Sequence, residues 1–260
     1  MSFEVQPDWW KSLFDEIYLL TDARTVADND LTRREIDMLC ELLPLRNGDR
    51  ILDLCGGQGR HSLELALRGF AGCTVLDYSE VLLEKGRAAA ERAGCRIEFV
   101  QGDATATGLA GASFDHILIL GNSLGYLPEG KDDLRILREA GRLLRPGGCL
   151  LLDVTDGTAV RERFNSNAWH EIADDIVVCR QRMLDETAIR CRELVLCKEK
   201  GLLRDRTYAI RTYTAGMLRQ LVEQAGFTRI SLQKGFASGH LKGDYGFMNH
   251  RLLVRGRKQE

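Results

Sequence analysis

With 260 residues, 44% of them apolar, the chain can bury one substantial core and carry an appended subdomain. A formal net charge of −2 argues against a globally basic surface built for nucleic acid. No apolar run approaches the roughly 18 residues of a bilayer span. The eight cysteines (40, 55, 73, 95, 149, 179, 191 and 197) contain no Cys-x-x-Cys pair, which argues against a zinc ribbon, so no metal site is expected. They lie mostly in apolar segments and no signal-peptide pattern is read, so the expectation is reduced thiols in a soluble, cytoplasmic protein.

Residues 7–20 carry apolar side chains at helical spacing, with Trp10, Leu13, Phe14, Ile17 and Tyr18 on one face. Thr32-Arg33-Arg34-Glu35 reads as a capping box for a helix through Ile36, Leu39, Cys40 and Leu43, ended by Pro44. Asn47-Gly48-Asp49 turns the chain into an apolar strand, Ile51 to Leu54. That strand enters the turn Cys55-Gly56-Gly57-Gln58-Gly59, which opens a helix through Leu63, Leu65, Ala66 and Leu67. Glycines there admit close backbone approach, and a helix start offers unpaired N–H groups to an anion. Such turns also occur where nothing binds.

About twenty residues on, a short strand (Cys73 to Leu76) ends on Asp77, the spacing at which an acid reaches ribose hydroxyls. Ser79 caps the next helix, which stops near Gly94. A third strand (Arg96 to Val100) leads to Gly102-Asp103-Ala104, and a fourth (Phe114 to Leu120) to Gly121-Asn122-Ser123. A helix from about Asp132 to Leu144 breaks at Arg145-Pro146-Gly147-Gly148 before a fifth strand, Cys149 to Val154. Strand and helix thus alternate as in a parallel, doubly wound α/β sheet. Asp53, Asp77 and Asp103 fall at or beside the first three strand ends, where open parallel sheets bind nucleotides. Each alone is equally an ordinary cap or turn former.

Beyond residue 156 the pattern changes. Three apparent strands, about 176–184, 188–198 and 203–213, are joined by short connections as in an antiparallel meander. Arg180, Arg182, Arg190, Arg192, Arg204 and Arg206 all occupy even positions and share one face if the register permits. That face reads as solvated or locked to local carboxylates; its functional readings are an anionic acceptor or a dimer contact. Thr214 then caps a helix ending at Gly226, followed by strands Phe227 to Gln233 and Phe247 to Val254. No repeat or low-complexity linker separates these parts. Residues 157–213 therefore read as an insertion into one fold formed by 1–156 and 214–260.

The run Asp53-Leu54-Cys55-Gly56-Gly57-Gln58-Gly59-Arg60-His61-Ser62, with the strands around it, resembles the class I S-adenosylmethionine (SAM)-dependent methyltransferases of the small-molecule, "methyltransferase domain" type. The resemblance is good over residues 32–155, loose over the last forty and thin at 1–31 and 157–212. Its one departure is that Cys55 stands where the family usually has glycine and Gly56 where it has a small residue or cysteine. The resemblance implies a Rossmann-like, seven-stranded, mostly parallel sheet with an antiparallel β insertion and an N-terminal helical lid bearing Tyr18. It implies SAM as methyl donor, S-adenosylhomocysteine (SAH) as product, and in-line displacement by an N, O, S or C nucleophile of a small-molecule acceptor.

Carried over position by position, Gly57 and Gly59 face the amino-acid and ribose portion, and Asp53 holds the turn or the ammonium. Asp77 takes the ribose, Tyr78 stacks on adenine, Asp103 accepts from the adenine amino group and the Ala104 N–H meets a ring nitrogen. Cys55 and Leu120 complete the set. Tyr126 and His170 are the candidates for catalysis, although His170 also reads as a surface histidine. Asn122, Trp169, Arg211, Tyr213, Tyr245, Asn249 and His250 are candidates for the acceptor side, and His61 for supporting the loop. A nicotinamide-dependent oxidoreductase is disfavoured by Ser62, where a third glycine would fall. A tRNA or rRNA methyltransferase would bring a basic face, and a SAM-binding protein without turnover shares the same core. A monomer or homodimer that binds neither membrane nor nucleic acid is expected.

Overall fold

The computed structural model describes residues 3–22, 27–234 and 250–260. Five strands form before residue 156: β1 (Ile51–Leu54), β2 (Cys73–Asp77), β3 (Glu98–Gln101), β4 (Phe114–Ile119) and β5 (Leu144–Thr155). Four more follow, β6 (Asn167–Ile172), β7 (Ile176–Leu184), β8 (Ala188–Cys197) and β9 (Gly201–Arg211), and then β10 (Phe227–Lys234) and β11 (Arg251–Lys258). The main sheet has the order β10-β11-β5-β4-β1-β2-β3. Neighbours from β5 to β3 are parallel, and β11 is antiparallel to both β5 and β10. The fold is the expected seven-stranded, mostly parallel α/β sheet. Strand order reverses between β1 and β4, which opens a crevice at their carboxyl ends.

The strands are apolar on both sides because helices cover both faces. Ile51, Leu118, Leu151 and Leu253 meet Ile36, Leu39 and Leu65 from the helices Asn29–Leu42 and Arg60–Leu67. Leu52, Ile117, Leu150, Leu152 and Val254 point the other way, against Ile136, Leu137, Leu218 and Val222 of the helices Gly130–Leu143 and Ala215–Gln224. Among the described residues no helix is long and apolar enough to cross a membrane.

Several boundaries differ from expectation for local reasons. The single helix read over 7–20 is two, Trp10–Leu13 and Glu16–Thr21, because Asp15 is extended and accepts the Ile17 and Tyr18 N–H groups as a cap. The Asn29–Leu42 helix starts one turn earlier than the Thr32 capping box predicts. Asp28 caps it through the Leu31 N–H, while the Thr32 hydroxyl donates back to the Asp28 carbonyl. Ser79 and Thr214 do cap their helices. Strand β6 was not read from the sequence, and the last strand runs over 251–258, residues 247–249 lying outside the described set.

Strands β6 to β9 form a separate antiparallel sheet. Its register corrects the expected arginine stripe. Arg180 lies opposite Glu193, and Glu193 opposite Arg206, while Arg192 lies opposite Gln181 and Thr207. Even positions of one strand thus face odd positions of the next, which puts Arg180, Arg182, Arg204 and Arg206 on one face and Arg190 and Arg192 on the other. The second pair is locked to Asp185 and Asp205.

One charged cluster is wholly internal. Arg251 on β11, 4% exposed, ion-pairs with both Glu35 and Asp153, and Glu35 also meets Arg60 and His61. Breaking such a cluster strands a buried charge. Arg251→Met, which leaves two carboxylates uncompensated, is expected to cost about 3–5 kcal/mol of stability, measured by urea denaturation against wild type.

Candidate active site

The turn after β1 carries an unusual side-chain arrangement. Asp53 is 1% exposed and lies beneath the turn, its Oδ2 accepting from the Ser62 hydroxyl at 3.1 Å. A Cβ at Gly56 would sit 2.6 Å from the Asp53 Cγ, so only glycine fits there. The strain is taken at Cys55, a left-handed residue at φ 60°, and at Gly57 (φ 59°) and Gly59 (φ 69°). Cys55 occupies the conformation that glycine would take most cheaply. Gly59 needs its hydrogen for a second reason, since a Cβ would come within 2.8 Å of Val75.

Two adjoining cavities open over this turn at the switch point. The smaller, about 110 Å³, is bordered by Asp77, Tyr78, Gly102, Asp103 and Ala104 at the ends of β2 and β3. Asp77 accepts the Gly57 N–H at 2.7 Å and the Ser79 N–H at 2.9 Å, tying the turn to the next helix cap. Burial raises its pKa against those two bonds. Asp103 accepts both the N–H and the hydroxyl of Thr105 at 2.8 Å. Tyr78 is 40% exposed and meets Trp10 edge-on at 4.8 Å.

The larger cavity, about 320 Å³, runs from the turn to the inner face of the four-stranded sheet. Cys55, Gly57, Tyr18 and Tyr126 border both cavities, whereas Leu120, Asn122 and His170 border the larger. Asn122 is left-handed at φ 62°; Asp153 holds its N–H at 3.1 Å, and its own Oδ1 accepts the Thr155 N–H at 2.7 Å. Its side chain also bonds the Tyr126 phenol. Burial pushes the Tyr18 and Tyr126 hydroxyls well above the usual tyrosine range, so both are neutral donors at physiological pH. Cys55 is likewise pushed up by burial and stays a thiol.

Not every expected residue reaches these cavities. Asp53 and Gly59 border neither and support the turn from below and behind. Arg211 and the Tyr213 hydroxyl both bind buried Asp133, and Arg211 also holds the Leu127 and Pro128 carbonyls. Both therefore brace the loop carrying Tyr126 from outside. His250 pairs with Arg163, away from the cavities, and His61 is bound to Glu35. Tyr245 and Asn249 lie outside the described residues. Trp169 stands at the rim, 71% exposed. Sequence reading missed Trp9, Asp22, Glu193 and Tyr208 as wall residues. For Glu193 and Tyr208 the alternation along β8 and β9 was the available signal, once the register was known.

Residues 51–148 match the family model described as "Methyltransferase domain". The chain is 35% identical over 133 residues to 27-O-demethylrifamycin SV methyltransferase of Amycolatopsis mediterranei, half of this chain and 47% of that one. It is 32% identical over 146 residues to the ubiquinone/menaquinone biosynthesis C-methyltransferase of Roseobacter denitrificans, 55% of this chain and 56% of that one. The chain therefore spans about half the length of these curated relatives. Among solved structures, an S-adenosylmethionine-dependent methyltransferase from Clostridium acetobutylicum superposes with TM-score 0.74 at 15% identity, covering 94% of this chain and 97% of that one. The CcbJ methyltransferase of Streptomyces caelestis gives 0.73 at 18%, covering 93% and 96%. The fold is that of the SAM-dependent methyltransferases. Within it, residues 51–148 belong to the methyltransferase-domain family.

The clash beneath the turn can be tested directly. Gly56→Ala is expected to destabilise the protein by about 1–3 kcal/mol, the range for forcing a methyl into a packed site, read as a lowered midpoint in chemical denaturation.

Proposed function

We propose that the protein transfers a methyl group from SAM to a small-molecule acceptor by in-line displacement, releasing SAH. The observation that carries this reading is the pair of adjoining cavities at the sheet's switch point, with the Asp77 carboxylate bordering one and a polar chamber forming the other. The residues fit the donor. The smaller cavity has the acid, the half-exposed ring of Tyr78 and the Gly102-Asp103-Ala104 backbone that an adenosine needs. The left-handed turn at Cys55 and Gly57 presents backbone to the amino-acid portion. Asp53 supports that turn; its buried Oδ1 has no hydrogen-bond partner in the protein and lies where it adds negative charge beneath a bound cation.

SAM supplies a methyl carbon on a good leaving group, so the chain's task is alignment and exclusion of water. Near-attack positioning of this kind lowers barriers by about 7–11 kcal/mol. Tyr126, oriented by Asn122, donates to the acceptor or holds its heteroatom in line, and a protonated phenol at neutral pH suits it to orienting rather than to taking a proton. His170, at the far wall, is the side chain placed to accept a proton from an acceptor that arrives protonated. The RNA-methylating alternative rested on one basic face, and that face is divided between two sides of a sheet and paired with carboxylates.

Incubation with methyl-labelled SAM, a metabolite extract and total RNA is expected to put label into small molecules. Label in RNA, or bound cofactor without turnover, reverses the assignment. Asp77→Ala is expected to weaken SAH binding by about 1.5–3 kcal/mol, the range for hydrogen bonds to a charged group. Isothermal calorimetry showing unchanged affinity would remove Asp77 from the site.

A further inference from the structure

The chamber beyond the cofactor turn has a composition that narrows the acceptor. Four arginines border it, Arg60, Arg180, Arg182 and Arg204, and by count they call for an anion. Their bonds say otherwise. Arg60 is held by Glu35 and by the Thr32 hydroxyl at 2.8 Å. Arg204 is held by Asp15, by Glu193 and by the Leu13 carbonyl. Arg180 places its Nε 2.8 Å from Glu193 and reaches Asp22 at a longer 3.3 Å. The fourth, Arg182, stands beside Cys191 on the inner face.

Aromatic rings make up much of the remaining wall. Trp9 is 5.5 Å from Tyr126 and 5.6 Å from Tyr208, and Phe14 stacks on Tyr126 at 5.5 Å. Trp9 and Tyr208 border only the larger cavity, on the acceptor side of the turn. The Asp22 carboxylate, at the end of the Glu16–Thr21 helix, enters the same space, and its charge acts on both the Tyr18 and the Tyr126 hydroxyls. Ring faces with a nearby carboxylate are the chemistry that binds an organic cation.

Resting on the methyl-transfer reading above, we propose that the acceptor is an amine, held among Trp9, Tyr126 and Tyr208 with Asp22 as its counter-charge. The amine enters as an ammonium ion and gives up one proton to Asp22, from which it passes to water. The neutral nitrogen's lone pair then forms the new N–C bond to the methyl carbon as the C–S bond breaks, with that electron pair returning to sulfur. The products are a methylated ammonium, retained by the same rings until release, and the neutral thioether SAH.

The test uses the full chain loaded with SAH and titrated with benzyltrimethylammonium, a methylated-amine probe, and with benzoate, by calorimetry. The cation is expected to bind at least tenfold more tightly than benzoate. Asp22→Asn should lose about tenfold of the cation affinity while leaving SAH affinity in place, and Asp22→Glu should recover part of it. Benzoate binding as tightly as the cation, no cation binding to SAH-loaded protein, or cation affinity indifferent to Asp22→Asn overturns the proposal. Failure to hold SAH at all is a different result: it removes the cofactor reading and this one with it.

Discussion

Arg251 sits inside the protein between two buried carboxylates, and much of the site is attached to that pair. A guanidinium there cannot be left without its partners, so the end of β5, strand β11 and the Asn29–Leu42 helix are held in one arrangement. Burial by itself would raise the Glu35 carboxyl; Arg60, Arg251 and His61 together hold it well below the usual range, and it stays ionised. From Glu35 the network reaches the helix that opens at the glycine turn. From Asp153 it reaches the Asn122 N–H, and through Asn122 the phenol of Tyr126. One internal charge cluster thus ties the cofactor side of the cavity to the acceptor side.

The roof is built differently. Ile17 and Leu20 of the N-terminal segment pack with Ile176, Val178 and Val195 of the four-stranded sheet, in an apolar cluster separate from those on the main sheet. Polar contacts anchor this unit to its surroundings: Ser79 donates to the Phe14 carbonyl at 2.6 Å, and Thr207 to the Glu4 carbonyl at 2.8 Å. The walls of the acceptor chamber therefore come from the first twenty-two residues and from residues 168–210, far apart in the chain, while the floor comes from the strand ends between them. That division separates a floor suited to one cofactor from a roof free to vary with the acceptor.

The parts that could be read from sequence are those governed by local rules. Alternating apolar strands and helices, a glycine turn after the first strand, and caps at Ser79 and Thr214 each depend on a few neighbouring residues. They led to the right sheet class and to most of the strands. The glycine turn illustrates the limit. Its location follows from composition, but the reason Gly56 must be glycine is the Asp53 carboxylate beneath it, and the cost of that arrangement falls on Cys55.

Register and burial were decided by tertiary structure. Six arginines at even positions look like one face until the hairpins pair even with odd and divide them, because a period of two turns a one-residue offset into a change of side. Arg211 looked like an acceptor ligand and instead braces a loop through Asp133, a partner 78 positions away. Asp22, Glu193 and Tyr208 carry no local pattern that marks them, and they meet only because two distant segments close over the same strand ends. Local propensity and periodicity reach a few residues along the chain; which charges face one another across a cavity depends on contacts that no short window contains.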